Sequence, residues 1–214
     1  MCRMLLANRK GIEELERALK GFPGCSTLEM YLKDLELRDG GQGNGYATLG
    51  NGRITRLEKG VGLKVGTIAR VMETEDYDWI LFHTREASEG GVSDANCHPF
   101  RVVGKAEIVA AVNGNEKSVA ELARVAGGIT DSEFILKLVA EMGLPLKETL
   151  SIYESNFFGF YNGRPFVKKG NRDMLTWRCG DGLVFASDFP FGMGGLVKPG
   201  QDYFWMEGDE TGRA

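Results

Sequence analysis

Short apolar runs dominate the chain, and helical spacing interrupts them at only a few places. Residues 4–7 form the first strand candidate; Ile12, Leu15 and Leu19 then recur at helical spacing between Gly11 and Gly21, which predicts a short amphipathic helix. Ser26 and Glu29 stand at capping-box spacing ahead of Leu28, Leu32 and Leu35 and predict a second helix. Residues 46–49 and 53–57 flank Asn51-Gly52, a type I′ turn signal, and so read as a hairpin. Residues 79–85 and 108–112 are buried strand candidates that end in polar tips. Thr130 and Glu133 repeat the capping-box spacing and open a helix carrying Ile135, Leu138, Val139 and Met142, which ends at Gly143. Beyond it, residues 157–161, 164–168, 175–179 and 183–187 predict consecutive hairpins, and residues 203–206 a last strand before a tail, 208–214, expected to be loose. Helices segregated from many antiparallel strands predict an α+β protein with two sheets and the helices outside them.

Composition narrows this picture. At 214 residues and 43% hydrophobic, the chain can bury a sizeable core, and it is read as a single domain over 1–214. Its 30 glycines against 6 prolines fit tight turns between short strands. The net charge of -4, with no dense cluster of Lys and Arg, argues against nucleic acid as a partner. No stretch approaches the ~18 apolar residues of a membrane span, and the first ten residues hold too short an apolar run for a signal peptide. The protein is therefore expected in the cytoplasm, away from membranes. Cys2, Cys25, Cys97 and Cys179 form no Cys-x-x-Cys pair, so free thiols are expected rather than a zinc or redox centre. Gly40, Gly41, Gly43 and Gly45 fit neither a P-loop nor the dinucleotide-binding pattern, which discounts a phosphate site.

Cys2 is the most informative position. A small residue after Met1 permits removal of that methionine, which leaves a thiol and a free α-amine on one residue. An unperturbed α-amine titrates near ~7.7–8.0 and a thiol near ~8.5, so the amine can take the thiol's proton without a catalytic histidine. The competing reading of Cys2 is a chance residue near a frayed end.

The residues that accompany Cys2 resemble one known family, the class II, N-terminal-nucleophile glutamine amidotransferases. Met-Cys-Arg-Met at the start resembles that family's processed N-terminus, and Gly43-Asn44-Gly45-Tyr46 resembles its Asp-Gly-Trp-Gly turn. His83-Thr84-Arg85-Glu86-Ala87-Ser88 followed by Asn96-Cys97-His98-Pro99-Phe100 resembles its arginine motif and Asn-x-His-Pro. Val112-Asn113-Gly114 is similar to its His-Asn-Gly, Thr130-Asp131-Ser132-Glu133 to its Ser-Asp-Thr-Glu, and Ser187-Asp188 to its terminal Ser-Glu or Ser-Asp. The matches run in the family's order from Cys2 to Asp188.

This resemblance implies a four-layer αββα sandwich of the N-terminal-nucleophile hydrolase type and a glutaminase that needs no cofactor or metal. It implies Cys2 as nucleophile and Asn113 and Gly114 as oxyanion hole. It further implies Arg85 as clamp for the substrate α-carboxylate, Asp131 as partner of the α-ammonium, and Ser88 as a further substrate contact. Each has a plainer alternative: a surface ion pair for Arg85, a charge favoured at a helix start for Asp131, a hairpin turn for Asn113-Gly114. Asn96 and His98 are expected to shape the arginine loop, with a general-base role as the alternative for His98, and His83 is expected to be a core histidine. Val112 stands where the family carries His, Asn44 where it carries Asp, and Glu86 and Glu89 bring charge to the pocket, which leaves the substrate open. The substrate expected is glutamine or a γ-glutamyl amide, with a separate ammonia-accepting synthase subunit as partner, or none if the chain hydrolyses the amide alone. Two other readings are a non-catalytic binding or regulatory subunit of this fold and a different N-terminal-nucleophile acylase.

Overall fold

In a computed structural model that describes residues 2–87, 91–127 and 130–209, the elements run β1 (Arg3–Asn8), α1 (Arg9–Leu19), α2 (Leu28–Arg38), β2 (Asn44–Gly50), β3 (Arg53–Gly60), α3 (Val65–Thr74), β4 (Trp79–Thr84), β5 (Phe100–Val103) and β6 (Glu107–Asn113). They continue with α4 (Lys117–Val125), α5 (Asp131–Ala140), α6 (Leu146–Ser151), β7 (Asn156–Tyr161), β8 (Arg164–Lys168), β9 (Leu175–Cys179), β10 (Gly182–Ala186), β11 (Leu196–Val197) and β12 (Phe204–Met206). One sheet has seven strands in the order β11-β9-β10-β1-β4-β2-β3, the other five in the order β12-β8-β7-β6-β5.

Three apolar cores separate four layers. Leu15 and Leu19 of α1, Leu28 and Leu32 of α2 and Ile68 of α3 pack on Leu5, Phe82 and Val184 of the larger sheet. Met4, Leu6 and Leu81 meet Val109, Phe158 and Val167 between the two sheets. Ile135 and Val139 of α5 and Leu150 of α6 cover Ala110, Phe157 and Phe166 on the far face of the smaller sheet. Strand alternation explains how neighbouring residues serve different cores: Leu5 faces helices and Leu6 faces the other sheet. The arrangement is the αββα sandwich that the sequence predicts.

The hairpin turns fall where Asn-Gly dipeptides stand. Asn51 and Asn162 adopt φ of 51° and 48°, and Gly52 and Gly163 follow with φ of 69° and 74°, the left-handed pair that a type I′ turn requires. One cap lies a residue away from its expected position. Thr27, not Ser26, accepts the Met30 N–H at 3.2 Å and opens α2. Thr130 accepts the Glu133 N–H at 3.1 Å, as its spacing predicts. Of the tail expected from 208 onward, residues 210–214 lie outside the described ones.

The glycine run before β2 serves close packing. A Cβ on Gly45 would stand 2.0 Å from the carbonyl oxygen of His98 and 2.8 Å from the Lys59 Cβ, so β2 and the segment leading into β5 can approach only through glycine. Gly45→Ala is expected to destabilise the protein by about 1–3 kcal/mol through forced backbone shifts. Urea unfolding checks this; an unchanged midpoint would contradict it.

Candidate active site

Antiparallel pairing brings the beginning of one strand beside the end of its neighbour. Arg3 pairs with Thr84, and Asn44 pairs with Thr84 from the other side. Cys2, just ahead of β1, therefore lies beside Arg85, just past β4. β6 of the second sheet ends at the same edge with Asn113, and Asp131 opens α5 there. Five of the residues singled out from the sequence, Cys2, Arg85, Asn113, Gly114 and Asp131, line two voids that meet at Cys2, Glu86 and Gly114. Ser88, the sixth, lies outside the described residues, as does Glu89.

The larger void, about 300 Å³, is lined by Cys2, Glu86, Ala87, Asn113, Asn115 and Arg172 together with Gly114. The smaller, about 20 Å³, lies between Arg85, His98 and Asp131 and holds roughly one water. An amino-acid head group would have to open it.

Cys2 is half-buried. Its sulfur accepts the Glu86 N–H at 3.4 Å and stands 3.5 Å from the Glu86 carbonyl oxygen. Desolvation pushes the Cys2 thiol up to about 11, against the opposing pull of the chain's amino terminus and Arg85 and with a further push from Asp39. At neutral pH the thiol is protonated, so a nearby base must take its proton before it can attack.

Arg85 is buried, and its guanidinium donates to the Gly91 carbonyl at 2.6 Å. Its backbone is held on both sides: the Arg85 N–H donates to Gly43 O at 2.8 Å, and Gln42 N–H donates to Arg85 O at 3.0 Å. The Gln42 side chain accepts the Ala87 N–H at 2.7 Å. The glycine run thus braces the arginine segment. Arg3 pairs with Asp39 beside Cys2. Ser187, from the last family-like element, accepts the Met4 N–H at 3.0 Å and holds the start of β1.

The buried Asn113 side chain makes no hydrogen bond to a protein group among the described residues and lines the larger void. Gly114 follows at a point of close approach, where a Cβ would stand 2.0 Å from Ser155 Oγ. Sequence reasoning missed the brace behind this turn. The buried Glu116 carboxylate accepts both the Ser155 N–H at 2.7 Å and the Ser155 hydroxyl at 2.6 Å. The Glu116 N–H donates to Asp131 Oδ2 at 2.7 Å, and Asp131 Oδ1 accepts the Ser132 N–H at 2.8 Å. One residue thus ties the Asn113-Gly114 turn to Asp131. Lys168, whose ammonium burial pulls below the usual lysine range, donates to the carbonyls of Tyr153 and Ser155 from beneath. Asp131 Oδ1 also accepts the Ser132 hydroxyl at 3.4 Å, which leaves about one of a carboxylate's four acceptor positions for a cation.

Behind Arg85 sits a histidine pair. Val112 N–H donates to His98 Nδ1 at 3.2 Å, so that nitrogen is unprotonated, and His83 Nε2 stands 3.1 Å from it. His83 Nδ1 is buried without a partner. Burial and then Arg85 pull His83 down to about 3; burial and then His83 pull His98 well below the usual range. Burial makes both rings weak bases, so neither is poised as a general base near pH 7. The unfolded chain takes up their protons first, near pH ~6.5. Stability is therefore full above that pH and falls as the pH drops toward 3, by up to about 1.4 kcal/mol per pH unit for each histidine. Unfolding free energies between pH 7.5 and 5 check this, and His83→Gln should flatten the slope.

All four cysteines are free, and no described helix is long and apolar enough to cross a membrane. The family model described as class II glutamine amidotransferases matches residues 39–147, a span holding Arg85, Asn113, Gly114 and Asp131 but not Cys2. No curated protein matches the chain in sequence. Among solved structures, the allosteric regulatory enzyme of purine biosynthesis matches with a TM-score of 0.59 at 18% identity, over 87% of this chain and 42% of that one. A glutamine phosphoribosylpyrophosphate amidotransferase from B. subtilis, complexed with ADP and GMP, matches with a TM-score of 0.59 at 19% identity and the same two coverages. This chain thus spans about two fifths of those structures, and at such identities they establish the shared fold.

Proposed function

The chain belongs to the class II glutamine amidotransferases, and from that premise we propose that it cleaves a γ-carboxamide through Cys2 once Met1 has been removed. The observation that carries this reading is the meeting of Cys2, Arg85, Asn113, Gly114 and Asp131 around two joined voids. Arg85 takes the substrate α-carboxylate in a two-pronged pair and Asp131 takes the α-ammonium, which fixes the carboxamide beside the thiol.

The freed α-amine of Cys2 accepts the thiol proton, and the thiolate attacks the amide carbon. The side-chain N–H of Asn113 and the backbone N–H of Gly114 receive the negative oxygen. Collapse expels ammonia, which carries away the proton held by the amine, and leaves a γ-glutamyl thioester. Water activated by the same amine then releases glutamate. A separate synthase subunit that consumes the ammonia is one setting for this chemistry; the other is hydrolysis of a γ-glutamyl amide by the chain alone. Release of ammonia and glutamate from glutamine by the purified chain tests the reading. Silence toward glutamine and γ-glutamyl amides, alone and with a co-purifying synthase, would overturn it.

Arg85→Lys keeps the charge and loses the fork. KM for glutamine should rise at least about tenfold, roughly 1.4 kcal/mol, with kcat changed much less. Steady-state kinetics check this; an unchanged KM would remove Arg85 from the clamp.

A further inference from the structure

A cavity larger than either void at Cys2 lies elsewhere in the molecule. It measures about 550 Å³, lies at the open edge between the two sheets, and shares no lining residue with the voids at Cys2. Strand alternation accounts for its walls. On β9, Leu175 and Trp177 pack toward the helices, which turns Thr176 and Arg178 to the face between the sheets. They stand opposite Phe185 and Leu183 of β10, both in the core between the sheets. Tyr203 and Trp205 close the cavity from the other sheet, and Trp205 lies 5.0 Å from the Phe185 ring.

Two polar groups break this apolar lining. Thr176 Oγ1 is buried with no hydrogen-bond partner. Arg178, solvent-exposed where it lines the cavity, makes no ion pair or hydrogen bond among the described residues. Lys198 adds a second cation at the mouth, paired at 3.0 Å with Asp173. A mostly apolar, aromatic-walled space of this size with a few converging polar groups is the usual form of a small-molecule site.

We propose that this cavity binds a small organic anion with a flat apolar body. The body lies against Phe185 and Trp205, and the anionic group meets the Arg178 guanidinium. The charge at the mouth selects an anion over a neutral or cationic ligand of the same shape.

Anilinonaphthalene sulfonate, an aromatic anion whose fluorescence rises on burial, is the probe, titrated into the full chain at neutral pH. Saturable one-to-one binding with quenching of tryptophan emission is expected, weakened about tenfold or more by Arg178→Met and further by Arg178→Glu, as expected for a lost charge-assisted contact. Phenylnaphthylamine, the uncharged counterpart, should bind about tenfold more weakly. Cys2→Ala and saturating glutamine should change nothing, which separates this site from the proposed catalytic one. Arg178 is exposed, so its variants are expected to fold. Binding indifferent to both Arg178 variants, equal affinity for the uncharged probe, displacement by glutamine, or non-saturating uptake would each overturn the proposal.

Discussion

Cys2→Ala is expected to lower kcat/KM for glutamine by at least about 10⁴-fold, the scale on which removing the nucleophile of a covalent mechanism acts. The loss should leave the fold intact. Cys2 is half-buried, and its sulfur contacts are the Glu86 N–H and carbonyl at 3.4 and 3.5 Å, so the unfolding midpoint should change little. Activity and stability measured on the same preparation separate the two effects. Cys2→Ser sharpens the test, because serine also permits Met1 removal but its hydroxyl is a far weaker acid than a thiol. It should resemble alanine in rate while keeping the free amine. Full activity in either variant would exclude Cys2 as the nucleophile.

Asn113→Ala is expected to reduce kcat by about 10²–10³, or roughly 2.7–4 kcal/mol of transition-state stabilisation, with KM nearly unchanged. A donor aimed at the oxyanion acts when charge develops and contributes little to holding the ground state. The Asn113 side chain is available for this, since no protein group among the described residues holds it. Steady-state kinetics give the split directly. A rise in KM with kcat preserved would instead make Asn113 a substrate contact. Behind Gly114 the Glu116 carboxylate accepts the Ser155 N–H and hydroxyl and so braces the residue that Gly114 closely approaches.

Features that depend on neighbours in sequence were legible before the structure. The Asn51-Gly52 and Asn162-Gly163 turns adopt the expected left-handed backbone, and Thr130 caps α5. Elements without a side-chain cap were not: α3 follows Lys64, α4 follows Glu116, and α6 follows Pro145, and none of those residues makes a capping hydrogen bond. Glu116 leaves α4 uncapped because its carboxylate is occupied by Ser155, 39 residues away. No local pattern encodes such a pairing. β5 escaped notice because four residues with one buried-exposed alternation give little periodicity.

The site divides the same way. Cys2, Arg85, Asn113, Gly114 and Asp131 stand in short motifs and could be named from the sequence. Arg172, which lines the Cys2 void, belongs to no motif and reaches it only through the path of the chain after β8. The cavity at the edge of the sandwich was equally hidden, because its walls come from both sheets, Thr176 and Phe185 from one and Trp205 from the other.

The most direct measurement is the intact mass of the purified chain before and after treatment with the glutamine-directed electrophile 6-diazo-5-oxonorleucine, followed by peptide mapping. The expected result is a protein lacking Met1 that gains a single adduct, located on Cys2 and absent from Cys2→Ala. A chain that retains Met1, or one labelled at Cys25, Cys97 or Cys179 instead, would contradict it.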